Sequence, residues 1–375
     1  MNKKVISIVL NNFQNDSRVL KENQSLQKAG YDVQVIALWE AGLKVFDVVG
    51  GVPVHRVRLV TKHWSNNKLI QLIKYLEFIV RVLKQYRKID IVHCHDLNAL
   101  PVGWLMKRLL NRAVKVVYDA HEYETETQGL KGLRKKVIKV LEKRLIYSAD
   151  AVITVSESIA EAYQRIYKIK KPDIVLNCPL YRSEDKQDLF REYFGLKKHQ
   201  VIFLYQGRLS QGRGVERLLD AFSSLGSDKA VLVCMGYGPL CDEIVKRAAN
   251  SANIFFHEAV STDVLLSYTS SADFGISLIE DSCLSYRYCL PNKMFEYLMA
   301  DLPVLVSNLI EMQRLVEDYK VGFVIEGESQ PELTAAINKC LTSEKNTFQE
   351  SIMQAKKVFN WENQEAVLIN VYQNL

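Results

Sequence analysis

Short apolar runs alternate with helix-patterned segments along the whole chain, and this alternation stops once and restarts. In the first half, apolar runs at 5–10, 33–38, 52–57, 89–93, 114–119, 151–155 and 174–176 are separated by helical spacing at 17–29, 66–86, 97–111, 131–147 and 157–166. A polar stretch over 177–200, with Pro179 and a charged SEDKQD run, reads as a linker carrying a short helix. Runs at 201–206, 230–235, 254–257, 274–278, 303–306 and 321–324 then resume the pattern, and helical spacing closes the chain at 330–341, 343–358 and 361–373. Strands that alternate with helices pair in parallel through crossover connections. The chain is therefore expected to form two doubly wound α/β domains, and its 375 residues suffice for two of ordinary size. In such sheets ligands sit beyond the carboxyl ends of the strands, so the residues just after each strand are the candidates for chemistry.

A hydrophobic fraction of 48% excludes a mainly disordered chain, and no apolar run approaches the roughly 18 residues of a membrane span. The apolar run at 5–10 is only a strand long and is followed by Asn11 and Asn12, which suits a cytoplasmic chain rather than an exported one. Seven cysteines, an odd number without Cys-x-x-Cys or zinc spacing, read as reduced thiols. Charge is uneven. Residues 1–180 carry 30 Lys and Arg against 17 Asp and Glu, whereas the remainder carry 19 against 26. A basic half suggests an anionic partner, nucleic acid or a phospholipid surface. No nucleic-acid motif accompanies the charge, so no nucleic acid is expected. The cations concentrate in the helical segments 68–88 and 131–144, whose apolar stripes are expected to pack into the core while the cations attract anionic lipid loosely.

The segment from Gly207 to Gly214 places three glycines and two arginines between a strand and a helix. Backbone N–H groups at a helix start favour an anion, and Arg208 and Arg213, five residues apart, are expected to clamp a diphosphate. Gly236, in a second glycine turn after the strand at 230–235, permits close backbone approach. Farther on, Glu280 follows a strand, and Lys293 and Glu296 fall in the first turns of a helix. A carboxylate there suits a ribose diol, and Lys293 opposes the helix dipole unless an anion lies nearby. An ordinary amphipathic helix with both residues exposed explains the pattern equally well. In the first half, strand ends carry His93-Cys94-His95-Asp96 and Asp119-Ala120-His121-Glu122, and a histidine there can donate to a sugar hydroxyl or carry a proton. His93 and His95 are expected on opposite sides of their segment, which weakens a metal reading, so no metal is assigned although side-by-side coordination stays open. Residues 15–17 are expected to cap the first helix, the better-founded role of this loop, with contact between Arg18 and an anionic acceptor as the alternative.

The segments NDSRVLKENQSLQKAGYDVQVIAL, HCHDLNALPVG, VYDAHE, ADAVITVSE, YQGRLSQGRGVERLLDAF, GYGPL, LPNKMFEYLMADLPVLVS and FNWENQEAVLINVYQNL occur in this order and span almost the whole chain. Together they resemble the family-4 glycosyltransferases, retaining enzymes of the GT-B fold that use nucleotide sugars. The resemblance implies two facing Rossmann-like domains with an interdomain cleft. These would be an acceptor-binding domain over 1–177 and a nucleotide-sugar-binding domain over 178–359, with a C-terminal helix at 360–375 packing back on the first. It assigns Arg208 and Arg213 to the donor diphosphate, although the second position is usually Lys. Glu296 takes the place of the ribose-binding glutamate and His121 that of the sugar-contacting histidine. The family's first glutamate, eight residues before the second, falls at Tyr288, as in a branch with an Asn-Lys-x-Phe-Glu-Tyr pattern, and Glu280 offers a nearby carboxylate. Gly207, Gly236 and Lys293, read from the glycine turns and the helix start above, are placed in the same donor site. The expected activity is metal-independent transfer from a UDP- or GDP-sugar to a glycan or lipid-linked acceptor, with no prosthetic group, in bacterial surface polysaccharide assembly. Two other readings stay open. One is a UDP-N-acetylhexosamine epimerase. The other is a non-catalytic binding subunit, kept alive by Tyr288.

Overall fold

The computed structural model describes every residue except 1, 66, 184, 227 and 345. Two compact units divide it. The first runs to Val175 and includes Glu365–Leu375, and the second is Leu176–Gln364.

The first unit is built on eight strands: β1 (Lys4–Ile8), β2 (Asp32–Leu38), β3 (Phe46–Val49), β4 (Val52–Val57), β5 (Ile91–His95), β6 (Lys115–Ala120), β7 (Ala151–Thr154) and β8 (Asp173–Ile174). They lie in the order β3-β4-β2-β1-β5-β6-β7-β8. All neighbours are parallel except β3 and β4, an antiparallel hairpin in which Val49 faces Val52. The sequence pattern missed β3, although its signal was present. Gly50 and Gly51 both take positive φ (54° and 84°), the two-residue turn that matches strand twist. The strand direction of travel reverses between β1 and β5, which marks the switch point of this sheet.

The second unit holds β9 (Val201–Arg208), β10 (Ala230–Tyr237), β11 (Ile254–Glu258), β12 (Phe274–Ser277), β13 (Val304–Ser307) and β14 (Gly322–Ile325), in the order β11-β10-β9-β12-β13-β14, all parallel. Its switch point lies between β9 and β12. Both sheets bury their central strands on two faces, which is why these read as continuous apolar runs.

Several boundaries moved. β5 begins two residues later than the pattern suggests, so His95 is inside the strand. β9 and β10 run two residues farther, taking in Gly207 and Arg208 on one and Gly236 and Tyr237 on the other. The helix expected over 97–111 is an α-helix only at Leu100–Leu105 and widens into a π-helical turn at Met106–Leu110. The long helix expected from position 66, which lies outside the described residues, is Lys68–Gln85, with the Asn67 side chain accepting from the Ile70 N–H at 2.9 Å. The apolar stripes of the two cation-rich helices do not pack into the core as expected. Leu69, Leu72, Leu76 and Val80 of Lys68–Gln85 are exposed, as are Leu133, Val137, Val140 and Leu141 of Gly132–Leu145, whose buried residues are Glu142 and Leu145. No helix among the described residues is long and apolar enough to cross a membrane.

Candidate functional site

In the second unit the candidate residues gather at the switch point. β9 and β12 pair only through Phe274 and Gly275, and the gap beyond is filled by Tyr297 from the helix Asn292–Met299. Its hydroxyl lies 3.0 Å from the Leu204 carbonyl and 3.1 Å from that of Ile276, and it accepts the Gln206 N–H at 3.0 Å. A side chain at Gly275 would collide with the Tyr297 ring. This pin sets the helix against the strand ends and places Lys293 one turn before Tyr297.

Lys293 is nearly buried, with Nζ 3.6 Å from the centroid of the Tyr205 ring. Burial, then the neighbouring Arg213, lower its pKa from 10.5 to about 7, with Glu296 pulling the other way. The Arg213 guanidinium lies 5.0 Å over the Tyr286 ring, and its buried Nε has no hydrogen-bond partner. Gly207 adjoins both β10 and Lys293. A Cβ there would sit 3.8 Å from Lys293 Cε, and a Cβ at Gly236, its neighbour across the ladder, would lie 1.9 Å from the Gly207 carbonyl oxygen. Glycine at 236 is therefore a packing requirement. Gly214 (φ 73°) starts the helix Val215–Ser224 so close to β12 that a Cβ would meet the Leu278 carbonyl at 2.1 Å. Arg208 is exposed at the end of β9.

Glu296 is half-buried, and its Oε2 accepts from Gln206 Nε2 at 2.5 Å, while Gln206 Oε1 accepts from the Thr269 hydroxyl at 2.8 Å. Gln206 and Tyr205 carried no signal as site residues, because they lie within an apolar strand run. Glu280 follows β12 and is half-buried. Its N–H donates to the Gly212 carbonyl at 3.1 Å, and burial, then the nearby Glu216, raise its pKa. Tyr288 ends the short helix Leu284–Arg287.

In the first unit, the helix Ser17–Lys28 is capped by Asp16, whose side chain accepts from the Val19 N–H at 3.2 Å. Arg18 is not free to reach an anion. It is buried, grips Asp119 through Nε (3.0 Å) and Nη2 (2.8 Å), and donates from Nη1 to the Val175 carbonyl at 2.7 Å. His121 follows β6 and is partly exposed, with Nε2 3.1 Å from Asp119 Oδ2 and Nδ1 3.5 Å from Asp96 Oδ1. Burial opposes its charge, but Asp96 and Asp119 outweigh burial and raise its pKa to about 9. His121 is thus an imidazolium near neutral pH, oriented by two carboxylates.

His93 and His95 do not face opposite sides. Their rings stack with centroids 4.2 Å apart, because residues two apart in a strand point the same way. Tyr372, on the terminal helix Trp361–Gln373, meets His93 Nδ1 at 2.8 Å. Glu22, one turn after Arg18, is fully buried beside them. Burial, offset in part by Arg18, raises its pKa to about 8. Donor atoms of Glu22, His93, His95 and Asp119 converge within 4.8 Å, and the Arg18 guanidinium supplies positive charge to both carboxylates. The Arg18 and Glu22 pair, spaced i, i+4, was legible as a helix pair but gave no sign that it would be buried.

Two parallel-sheet α/β units of this kind, one ending in a cationic glycine-lined corner and the other in an oriented histidine, are the architecture of the GT-B fold. Residues 19–178 match the family described as Glycosyltransferase Family 4, and residues 200–343 match Glycosyl transferases group 1. An uncharacterised glycosyltransferase of Methanocaldococcus jannaschii is 24% identical over 369 residues, covering 93% of this chain and 91% of that protein. A Bacillus subtilis glycosyltransferase named for teichuronic acid biosynthesis is 23% identical over 341 residues, covering 84% and 82%. The structure of Anabaena HepE in complex with UDP-glucose is similar in fold, with a TM-score of 0.75 at 15% identity, covering 99% of this chain and 100% of that one. The chain belongs to the family-4 type of GT-B glycosyltransferases.

Proposed function

We propose that the chain transfers a sugar, with retention of anomeric configuration, from a UDP- or GDP-sugar to a hydroxyl of a glycan or lipid-linked acceptor. The setting is assembly of a bacterial surface polysaccharide on the cytoplasmic side of the membrane. The observation that carries this reading is the corner at Gly207, Arg213 and Lys293, where a buried lysine amine feels the charge of the Arg213 guanidinium strongly enough to lower its pKa. Like charges held together out of water are costly, and an anion placed between them removes that cost. A nucleoside diphosphate supplies such an anion, and the HepE complex with UDP-glucose supports that class of donor.

In this reading Arg208, Arg213 and Lys293 stabilise the diphosphate as it gains charge on leaving, the work a divalent ion does elsewhere. Glu296, oriented by Gln206, accepts from the ribose hydroxyls. Gly207 and Gly236 let backbone approach the phosphates. His121 orients the sugar as a cationic donor, and a donor phosphate oxygen takes the acceptor proton, so that attack occurs on the face the diphosphate leaves. Glu280, turned toward Glu216 and the Gly212 loop, has a secondary part near the sugar. The relative named for teichuronic acid biosynthesis supports a polysaccharide acceptor.

The test is calorimetric titration of the full chain with UDP, GDP, ADP, TDP and CMP in EDTA, followed by product analysis with the nucleotide sugar of the base that binds. Binding of one pyrimidine or guanine diphosphate and a retained anomer are expected. Binding without turnover on any hydroxyl acceptor would instead favour a non-catalytic subunit, and no binding would remove the donor-site assignment.

A further inference from the structure

The buried corner behind His121 gathers more donor atoms than its protein partners use. His93 and His95 point to one side of β5, whereas Cys94 between them points to the other, where a Cβ at Gly103 would meet its Sγ at 2.6 Å. The two rings face two carboxylates from distant parts of the chain, Glu22 on the helix Ser17–Lys28 and Asp119 on β6. His93 Nε2 lies 4.0 Å from Glu22 Oε2 and 3.9 Å from Asp119 Oδ2. His95 Nδ1 lies 3.7 Å and 3.5 Å from the same two oxygens. All four side chains are buried. His93 Nε2 nevertheless has no hydrogen-bond partner, and the Glu22 oxygens have none either, although Arg18 Nε forms an ion pair with Oε1 at 3.0 Å. Buried polar atoms left this way cost about 1–3 kcal/mol each unless something else satisfies them.

Two imidazole nitrogens and two carboxylate oxygens that converge on one point form a tetrahedral donor set. With metal–ligand bonds of about 2.0–2.2 Å, such donors stand about 3.3–3.6 Å apart. The four distances above lie at that spacing or a few tenths of an ångström beyond it, and every pair of donor atoms is within 4.8 Å. The outer atoms of the set are tied as metal ligands usually are. The Tyr372 hydroxyl meets His93 Nδ1 at 2.8 Å and fixes that ring, and Arg18 Nη2 holds Asp119 Oδ1 at 2.8 Å. Asp119 Oδ2 also meets Arg18 Nε at 3.0 Å and His121 Nε2 at 3.1 Å, so it is the most shared of the four donors. Imidazole with carboxylate and no thiolate suits zinc or a neighbouring first-row ion, whereas magnesium and calcium take oxygen donors.

We propose that Glu22, His93, His95 and Asp119 bind one divalent transition-metal ion of the zinc class as a structural centre of the first unit. The ion answers the charge of two carboxylates held together out of water and gives His93 Nε2 its missing partner. It joins the first helix to β5 and β6, and through Tyr372 to the terminal helix Trp361–Gln373. All four positions are filled by protein, so the centre holds the strand ends beneath His121 and takes no part in the chemistry. The inference does not rest on the donor site, which belongs to the other unit, and nucleotide binding and metal content stand or fall separately.

The experiment is elemental analysis of the full chain without an affinity tag, produced with added zinc and purified without chelator, beside a second preparation grown with cobalt. About one zinc ion per chain, retained through desalting, is expected, and the cobalt protein should show the intense visible bands of a tetrahedral cobalt(II) site. His93→Gln and Glu22→Gln should each lower the metal content by roughly tenfold. His63→Gln, at an exposed histidine outside the cluster, should keep it. Wild-type protein with less than about a tenth of an ion per chain overturns the proposal. So do a cobalt spectrum of the pale octahedral kind and wild-type metal content in both cluster variants. The two wild-type measurements decide the matter even where a cluster variant fails to fold.

Discussion

The ammonium of Lys293 stands 3.6 Å from the centre of the Tyr205 ring, so a cation is held against an aromatic face at the end of β9 with little water to solvate it. The ring offsets part of the lost hydration, and Arg213 adds repulsion. The protonation of Lys293 therefore depends on what occupies the corner.

Its native pKa of about 7 lies below the 10.5 of a free lysine. Between those values the unfolded chain binds the proton and the native chain does not, so stability should rise with pH from about 7 to 10. A bound diphosphate reverses the shift, so binding should take up a proton near pH 7.5 and weaken as pH rises. Calorimetry in two buffers of different ionisation enthalpy checks this, and Lys293→Met should abolish the uptake.

Glu296→Ala should weaken nucleotide binding by about tenfold to a hundredfold, the loss of hydrogen bonds to a charged acceptor. Gln206→Ala should act in the same direction, because Gln206 donates to Glu296 Oε2. Unchanged UDP and GDP affinity in the first variant would exclude Glu296 from the ribose site.

Gly236→Ala inserts a methyl group 1.9 Å from the Gly207 carbonyl oxygen. β9 and β10 must separate at their ends, at a cost of about 1–3 kcal/mol. The denaturant midpoint should fall and nucleotide binding should be lost with it. Gly226→Ala, with open space around it, serves as the control and should leave both nearly unchanged.

Arg18→Met leaves the buried carboxylate of Asp119 without its guanidinium. Breaking one side of such a pair costs about 3–5 kcal/mol. Combining it with Asp119→Leu should cost less than the sum of the two single changes, as urea unfolding of the four proteins would report.

Glu142→Ala removes the shared acceptor of three tyrosine hydroxyls beneath the helix Gly132–Leu145. A loss of about 3 kcal/mol is expected from the stranded donors, and Glu142→Gln should recover part of it. Thermal melts of both variants check this.

Much of this molecule was legible in one dimension. Strand and helix order follows from the period of apolar residues, since a strand buried on both faces must be apolar throughout and a crossover helix on one side. Gly207, Arg208, Arg213, Gly236, Lys293 and Glu296 stand out because strand ends and helix starts are where backbone donors lie unpaired. Tertiary structure decided the rest. The spacing of Lys293 and Glu296 fits an exposed helix face equally well, and only the Tyr297 pin in the gap between β9 and β12 turns Lys293 inward. Arg18 and Asp119 are 101 residues apart, and their pairing depends on strands brought together by the fold. Helix periodicity identifies an apolar stripe but not the side it faces. A buried Glu142 among three tyrosines turned one stripe outward, a choice set by hydrogen bonds between residues that local pattern does not connect.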